Sequence, residues 1–363
     1  MTSGWRRIAG LDGLRAIAVL LVFLDHRLPG ANPRYVGGYA VHIFFVLSGF
    51  LIVGMLHRDR LEIADGRESL SSAWRSFLLR RAARILPPYY LLLLILMLLS
   101  AWSLTPPIGG AEAAGYGLFL SNLYFVATGH WGLFSQSWSL AIEEQFYLLA
   151  APLLLLLPPG AARRICLVTT LGALAWNFVL CLTVPRSLAP GLDSLSNFGL
   201  IALGGFFSLQ RRQSARTTAL WMQPILLALL LLAPFIPDGA SNPIIRQAGQ
   251  PLIAALLLTE IRDHQDTPLV RLLEARMMLY VARISYGFYL VHQFVTAELL
   301  RRLTGGLVDI TGWTPLQQLL PLLLASIGVS ACSWHLLERP IIAWARRLPL
   351  SGSKPAARVA MAP

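Results

Sequence analysis

About ten apolar segments of roughly 20 residues each recur along this sequence, and they constrain its fold more than any other feature. Twenty apolar residues are about the length that an α-helix needs to cross the hydrocarbon core of a bilayer. Only 13% of the residues are charged, whereas a soluble domain carries about 25%. We therefore predict an all-α, polytopic membrane helical bundle of about ten transmembrane helices, with approximate limits 8–28, 36–56, 85–104, 138–158, 165–184, 197–210, 219–236, 248–262, 277–300 and 315–337.

The basic residues predict the orientation of this bundle. We take the N-terminus as inside and the glycine-containing segment 113–129 as re-entrant or flat on the outer side. About three-quarters of the Lys and Arg residues then fall in loops on the inner side, as the positive-inside rule requires of cytoplasmic loops. Both termini are thus predicted to be cytoplasmic, with residues 1–347 forming the membrane domain and 348–363 a disordered cytoplasmic tail. The longest polar loop is predicted between His57 and Ser76.

The net charge of +12 comes from basic residues that are scattered between the apolar segments. They form no continuous basic patch, which argues against a nucleic-acid partner. The three cysteines have no metal-ligand spacing, and no metal site is predicted.

The first apolar segment carries Arg15 and His26, and such groups in a membrane helix indicate a functional site. Eleven residues separate them, which is within about 20° of three full helical turns, so both lie on one face about 16 Å apart along the axis. Val19 and Val22 fill the stripe between them. Asp12 lies three residues before Arg15 and can pair with it.

Ionisable residues from four segments are predicted at one level near the outer face: His26, His42, Glu143 with Glu144, and His292. A histidine that takes a proton near neutral pH, with a carboxylate that fixes its tautomer, is the arrangement that general-base catalysis on a hydroxyl requires. Each histidine alone is as consistent with packing as with catalysis. Glu143 and Glu144 are adjacent in sequence, so only one can point squarely into the bundle.

Arg81 and Arg84 share a helix face near the predicted inner end of the third segment. They are consistent with a positive-inside anchor, and equally with a phosphate clamp, because guanidinium groups bind phosphate bidentately. Neither a Walker loop nor a dinucleotide-binding glycine pattern occurs in the sequence. Arg283 is interpreted as a residue that extends to the lipid headgroups.

In order, these segments resemble the membrane acyltransferase-3 family, whose members O-acetylate bacterial surface glycans, Nod factors and some macrolides. The resemblance runs from about Gly10 to Pro340. The matching positions are Arg15 with His26, His42, Arg81 with Arg84, the run Trp138, Ser139, Leu140 and Glu143, the run Ser285, Tyr286, Tyr289, Leu290 and His292, and finally Glu338, Arg339 and Pro340. Many members carry a hydrolase domain after the bundle, and we expect none in this sequence.

The resemblance implies a multi-pass protein of the bacterial inner membrane that transfers an acyl group, usually acetyl, from cytoplasmic acetyl-CoA to a carbohydrate or lipid-linked glycan at the outer face. Acyl-CoA is then a co-substrate, and no permanently bound cofactor is expected. Arg15, Arg81 and Arg84 are predicted to hold the CoA end. His26 is predicted to act as base or acyl carrier with Glu143 orienting it, and the acceptor pocket is predicted from His42, Ser139, Tyr289 and His292.

Two alternatives stay open on the sequence. The acceptor can be a small hydrophobic natural product such as a macrolide, because no outer loop is typical of a glycan-stacking platform. A secondary transporter or a lipid-linked sugar flippase also places ionisable residues in interrupted membrane helices. Only the enzyme would consume acetyl-CoA, and that consumption distinguishes it from a transporter.

Overall fold

A computed structural model describes residues 7–28, 36–184, 187–211, 219–233 and 245–348, and every regular element in these ranges is a helix. The prediction of an all-α fold is confirmed. We number the helices α1 Leu11–Arg27, α2 Val36–Ala64, α3 Leu70–Ala101, α4 Gly110–Gly117, α5 Ser121–Thr128, α6 Ser137–Leu156, α7 Ala161–Thr183, α8 Ala189–Leu192, α9 Ser194–Ser208, α10 Ala219–Leu232, α11 Gln250–Asp263, α12 Pro268–Leu273, α13 Arg276–Val291, α14 Ala297–Leu303, α15 Pro315–Ser333 and α16 Arg339–Arg347. Single π-helical turns at Ile245–Gly249 and Trp334–Glu338 precede α11 and α16.

Each of the ten predicted segments overlaps one of these helices, but 277–300 is interrupted, because α13 ends at Val291 and α14 begins at Ala297. Five helical stretches are long and apolar enough to cross a bilayer: Gly37–Ala64, Leu70–Ala101, Ser137–Leu156, Ala161–Thr183 and Pro315–Arg347. The shorter α10 is also apolar. The remaining helices at predicted spans are α1, α9, α11 and α13, with 14 to 17 residues each. The count of ten crossings and the cytoplasmic termini stay predictions. The predicted tail lies outside the described residues, except for Leu348.

Helix α2 is the centre of the bundle and packs against α1, α6, α9 and α11. Its closest neighbour is α9, where glycines allow the two backbones to touch. A Cβ on Gly49 would lie 1.7 Å from the Ile201 carbonyl oxygen, and a Cβ on Gly204 would lie 1.9 Å from that of Val46. Small residues permit such close crossings between membrane helices, where van der Waals contact replaces the hydrophobic effect as the driving force.

The predicted polar loop between His57 and Ser76 is wrong. Helix α2 continues to Ala64, and α3 begins at Leu70, where the Ser69 hydroxyl caps it by accepting from the backbone of Ser72 at 3.2 Å. An N-cap of this kind satisfies one of the free amides of a helix start. Arg81 and Arg84 therefore lie inside a continuous helix, and both side chains are partly buried.

Segment 113–129 forms parts of two short helices, α4 and α5, with a sharp break between them. Phe119 in the break has φ 55°, and the Leu120 amide donates to the Gly115 carbonyl at 2.8 Å. Eight residues of helix measure about 12 Å, so neither helix alone crosses a membrane. The buried Tyr89 hydroxyl of α3 donates to the Tyr116 carbonyl at 2.8 Å and holds α4 against the bundle.

Candidate functional site

A cavity of about 910 Å³ lies between α1, α2, α3, α6 and α13, and we call it the central cavity. One end is rich in arginine side chains from α1 and α3, with contributions from the residues before α1 and from α16. The charged residues in its lining are Arg7, Asp12, Arg15, Arg58, Asp59, Glu62, Arg80, Arg81, Arg84, Glu143 and Arg346. The three predicted donor residues, Arg15, Arg81 and Arg84, thus face one space.

Two contacts orient the arginines at this end. The Arg15 guanidinium pairs with the Asp12 carboxylate at 3.2 Å, as the spacing of these residues predicts. The Arg81 guanidinium lies over the ring of Tyr147 at 5.0 Å, a cation–π contact. Val19 and Val22 are buried along the face of α1 that carries Arg15, as predicted.

Arg7 lies just before α1 and ties the start of that helix to the end of α12. Its guanidinium pairs with Asp12 at 2.8 Å and with Glu274 at 2.7 Å, and Glu274 also accepts from the Gly10 amide at 2.7 Å. Partial burial lowers the pKa of Arg7, but the hydrogen bonds to the two carboxylates outweigh this, and the pKa lies above its ordinary value. Arg7 therefore remains a cation at the rim of the cavity.

Glu143 projects from α6 toward this arginine group. Its carboxylate accepts a hydrogen bond from the Tyr147 hydroxyl at 2.9 Å and interacts electrostatically with Arg81 and Arg15. The Tyr147 hydroxyl is also hydrogen-bonded to the Ser48 hydroxyl of α2. Tyr147 and Ser48 were missed from the sequence; the i,i+4 spacing from Glu143 indicates Tyr147, whereas nothing in the sequence indicates Ser48.

Ser139 and Tyr289 form the wall of the cavity farther along α6 and α13. Their hydroxyl oxygens are 2.7 Å apart, and both side chains are buried. The pair lies between the cavity and a second polar group that begins at His292, because Ser139 and Tyr289 line the cavity and His292 does not. Nδ1 of His292 is hydrogen-bonded to the backbone carbonyl of Tyr289 at 2.8 Å.

His292 is fully buried, and its partners determine its tautomer. Its Nδ1 faces the carbonyl oxygens of Tyr289 at 2.8 Å and Phe288 at 3.2 Å. Carbonyl oxygens only accept, so Nδ1 carries the proton, and in the neutral ring Nε2 presents a lone pair. That nitrogen lies 3.2 Å from Nδ1 of His26 and accepts its proton in a hydrogen bond.

His26 lies at the exposed end of α1, and its hydrogen-bond partners determine its tautomer in the same way. Its Nδ1 donates, because it also faces the Val22 carbonyl at 2.9 Å. Its Nε2 therefore presents the lone pair, which accepts from the Gln293 amide at 2.9 Å, and the amide oxygen of Gln293 accepts from the Ser135 hydroxyl at 2.9 Å. The chain from Ser135 to His292 thus leaves one basic nitrogen, Nε2 of His26, at the surface. No sequence motif or spacing indicates Ser135 or Gln293.

Of the nine predicted site residues, six line the central cavity, His26 and His292 form a separate pair, and His42 belongs to neither group. Among the described residues, His26 is hydrogen-bonded to His292, Gln293 and Val22, and Glu143 to Tyr147, so the expected His26–Glu143 contact is absent. His292 lies behind Tyr289 and outside the cavity lining. His42 also lies outside that lining, with its ring 6.5 Å from that of Tyr39. Residues at the same depth in the membrane are not necessarily in contact, because the rotation of each helix about its axis determines which side chains face one another.

Residues 8–335 match the profile of the family described as an acyltransferase domain, Acyl_transf_3. The chain belongs to this acyltransferase-3 family. Family membership and the five long apolar helices make it a multi-pass membrane protein.

Two similar proteins have names that refer to peptidoglycan. A putative peptidoglycan O-acetyltransferase, YrhL of Bacillus subtilis, is 28% identical over 80% of this chain and 49% of its own length. The peptidoglycan O-acetyltransferase OatA of Listeria monocytogenes is 25% identical over 92% of this chain and 56% of its own length. A putative O-acetyltransferase of Staphylococcus aureus is 35% identical over 39% of this chain and 24% of its own. The chain spans about half the length of the first two relatives, and no solved structure matches it.

Proposed function

We propose that this protein is an O-acyltransferase of the bacterial inner membrane. It moves an acyl group, acetyl in the simplest case, from cytoplasmic acyl-CoA to a hydroxyl of a glycan at the outer face. The proposal rests on the positions of Arg15 and His26 along α1. Arg15 lines the central cavity, and His26, eleven residues later on the same helix, lies exposed at the other end of a buried stripe.

The arginine end of the central cavity is suited to the donor. Arg15, Arg81 and Arg84 present guanidinium groups that bind phosphate oxygens in bidentate pairs. The pantetheine arm of CoA extends on the order of 15–20 Å, which matches the rise of about 16 Å from Arg15 to His26. Acyl-CoA enters as a co-substrate and leaves as CoA, so this role requires no permanently bound cofactor.

Glu143 acts at the donor end rather than on His26. Its carboxylate lies among the arginines and is held by Tyr147, which itself packs under Arg81. It therefore orients Arg81 and Arg15 before the donor binds, and preorganised groups lose less entropy on binding. The Ser139–Tyr289 hydroxyl pair stands between the cavity and the histidines, so it has to open for the thioester to reach His26.

His26 takes the part of the general base. Its Nε2 takes the proton of the acceptor hydroxyl after that hydroxyl replaces the Gln293 amide as hydrogen-bond donor. The hydroxyl oxygen forms a bond to the thioester carbonyl carbon, the carbon–sulfur bond breaks, and the thiolate of CoA leaves with the proton from His26. His292 accepts from Nδ1 throughout and stabilises the imidazolium while it exists.

The acceptor class is proposed from the two relatives named for peptidoglycan. A glycan reaches His26 from the water at the outer face, and bilayer lipids surround the apolar helices. The histidine chain beside Gln293 offers further donors and acceptors to sugar hydroxyls, which favours a polar acceptor over a small hydrophobic one.

The test uses purified protein in nanodiscs with labelled acetyl-CoA, soluble peptidoglycan fragments and a macrolide. Wild-type protein is expected to add an acetyl group to the fragments, detected by mass spectrometry. Loss of a general base lowers the rate by about 10²–10⁴-fold, so His26→Ala should lose at least about a hundredfold. His130→Ala, an exposed histidine outside both groups, is the matched control and should keep wild-type activity.

Other outcomes contradict separate parts of the proposal. Full activity of His26→Ala excludes it as the base, and an acetylated His26 peptide would make it an acyl carrier. Transfer to the macrolide alone would exclude the glycan acceptor. If acetyl-CoA is neither hydrolysed nor used, while a lipid-linked sugar is moved across the bilayer, the enzyme class itself is wrong.

A further inference from the structure

A second cavity of about 360 Å³ adjoins the central cavity, and we call it the side pocket. The two share most of their arginine lining at the end where α1, α3 and α16 meet. The side pocket adds Arg283, Leu279 and Ala282 from α13. It is therefore an extension of the donor end of the central cavity, on the side of α13.

The lining of the side pocket carries an excess of positive charge. Its arginines are Arg7, Arg15, Arg84, Arg283 and Arg346. Among the described residues, Asp12 is the acidic side chain in the lining, and it is already paired with Arg7 at 2.8 Å and Arg15 at 3.2 Å. Within the same part of the chain, no carboxylate lies within ion-pair distance of the other three arginines. An anion of more than one negative charge suits such a pocket.

The three arginines without ion pairs lie at two depths. Arg84 is partly buried and Arg346 is exposed, and both line the two cavities, whereas the exposed Arg283 lines the side pocket alone. Trp334 also lines both cavities and presents a flat aromatic surface between them. Arg283 therefore lines a cavity, and contact with lipid headgroups alone would not require that position.

Acyl-CoA carries anionic groups in two places: the diphosphate on the pantetheine arm and a monophosphate on the ribose. We propose that the central cavity takes the arm with its diphosphate and that Arg283 and Arg346 of the side pocket bind the ribose phosphate. This inference rests on the proposed function. It makes the side pocket the place where the protein distinguishes acyl-CoA from thioester donors that lack that phosphate. A ribose phosphate and a lipid headgroup phosphate share the same chemistry, so the test separates them.

The experiment compares acetyl-CoA with 3′-dephospho-acetyl-CoA in nanodiscs of a neutral lipid. Hydrogen bonds to charged groups contribute enough that the wild-type KM should be about tenfold higher for the dephospho donor, with kcat unchanged. Arg283→Gln and Arg346→Gln should raise the KM for acetyl-CoA toward that value and leave the KM for the dephospho donor unchanged. Arg276→Gln, on the same helix but outside both linings, is the control and should keep the wild-type ratio.

Each outcome bears on one statement. Turnover of both donors with equal wild-type KM values overturns the side-pocket assignment and leaves the acyltransferase proposal standing. Turnover of neither donor overturns the acyltransferase proposal itself. If Arg283→Gln changes activity only in nanodiscs with anionic lipid and keeps the donor ratio, the pocket holds a lipid headgroup and the inference is wrong. Thermal unfolding of each variant identifies a folding defect.

Discussion

The hydrogen bond between the two histidines makes a quantitative prediction for His292→Phe. His292 is fully buried, and its Nε2 accepts from Nδ1 of His26 at 3.2 Å. When His26 takes a proton, this bond becomes charge-assisted, and such bonds contribute about 1.5–3 kcal/mol. The distance is at the long end for a hydrogen bond, and the Val22 carbonyl remains as a second acceptor, so we use the lower part of that range. About 1.5–2 kcal/mol corresponds to roughly a 10- to 30-fold lower kcat.

The assay is the initial rate of acetyl transfer at saturating donor, with kcat and KM determined separately. The ring of His292 is stacked on that of Phe288 with centroids 6.0 Å apart, and Phe should keep this packing. His292→Gln places an amide oxygen near the position of Nε2 and should recover part of the lost kcat. A wild-type kcat in His292→Phe, or a loss confined to the donor KM, would refute the role of His292 in positioning His26.

Three further predictions concern the scaffold. Arg262→Met should lower the free energy of unfolding by about 1–3 kcal/mol, because the carbonyls of Phe207 and Ser208 at the end of α9 lose the guanidinium that donates to them and Asp263 loses one ion-pair partner. An unchanged melting temperature in detergent would contradict this. Gly204→Val should separate α2 from α9 and lower the melting temperature, whereas Gly160→Val, which meets open space, should not. On α14, hydrogen bonds from Arg301 and Arg302 lower the pKa of Glu298 to about 2 from 4.5. The stabilisation of α14 by these hydrogen bonds is therefore fully present above about pH 5 and should be lost as the pH falls toward 2. Amide hydrogen exchange around α14 measures this loss.

Features of the fold that depend on local sequence pattern could be predicted from the sequence. Hydrophobic runs located a helix at each of the ten segments, and helical spacing placed Arg15, Arg81 and Arg84 on faces that line one cavity. The pairing of Asp12 with Arg15 also follows from spacing alone, because residues three apart are neighbours on any helix.

The sequence could not supply contacts that depend on how helices rotate and approach one another. Glu143 was expected beside His26, but the packing of α6 turns it toward the arginines. Gln293 contacts His26 because the chain leaves α13 at that point, and no periodicity anticipates such a contact. The sequence predicts a loop where α2 continues to Ala64, because the last turns of this helix are polar.

Transfer across a sealed bilayer tests most directly whether the donor and acceptor sites lie on opposite sides of the membrane. Proteoliposomes of uniform orientation are loaded with labelled acetyl-CoA, and glycan acceptor is supplied only outside. We expect labelled glycan outside from the wild-type protein and almost none from His26→Ala or from the Arg81→Gln, Arg84→Gln double variant. Label on the acceptor only when donor and acceptor share one side of the membrane would contradict the arrangement of donor and acceptor sites along α1.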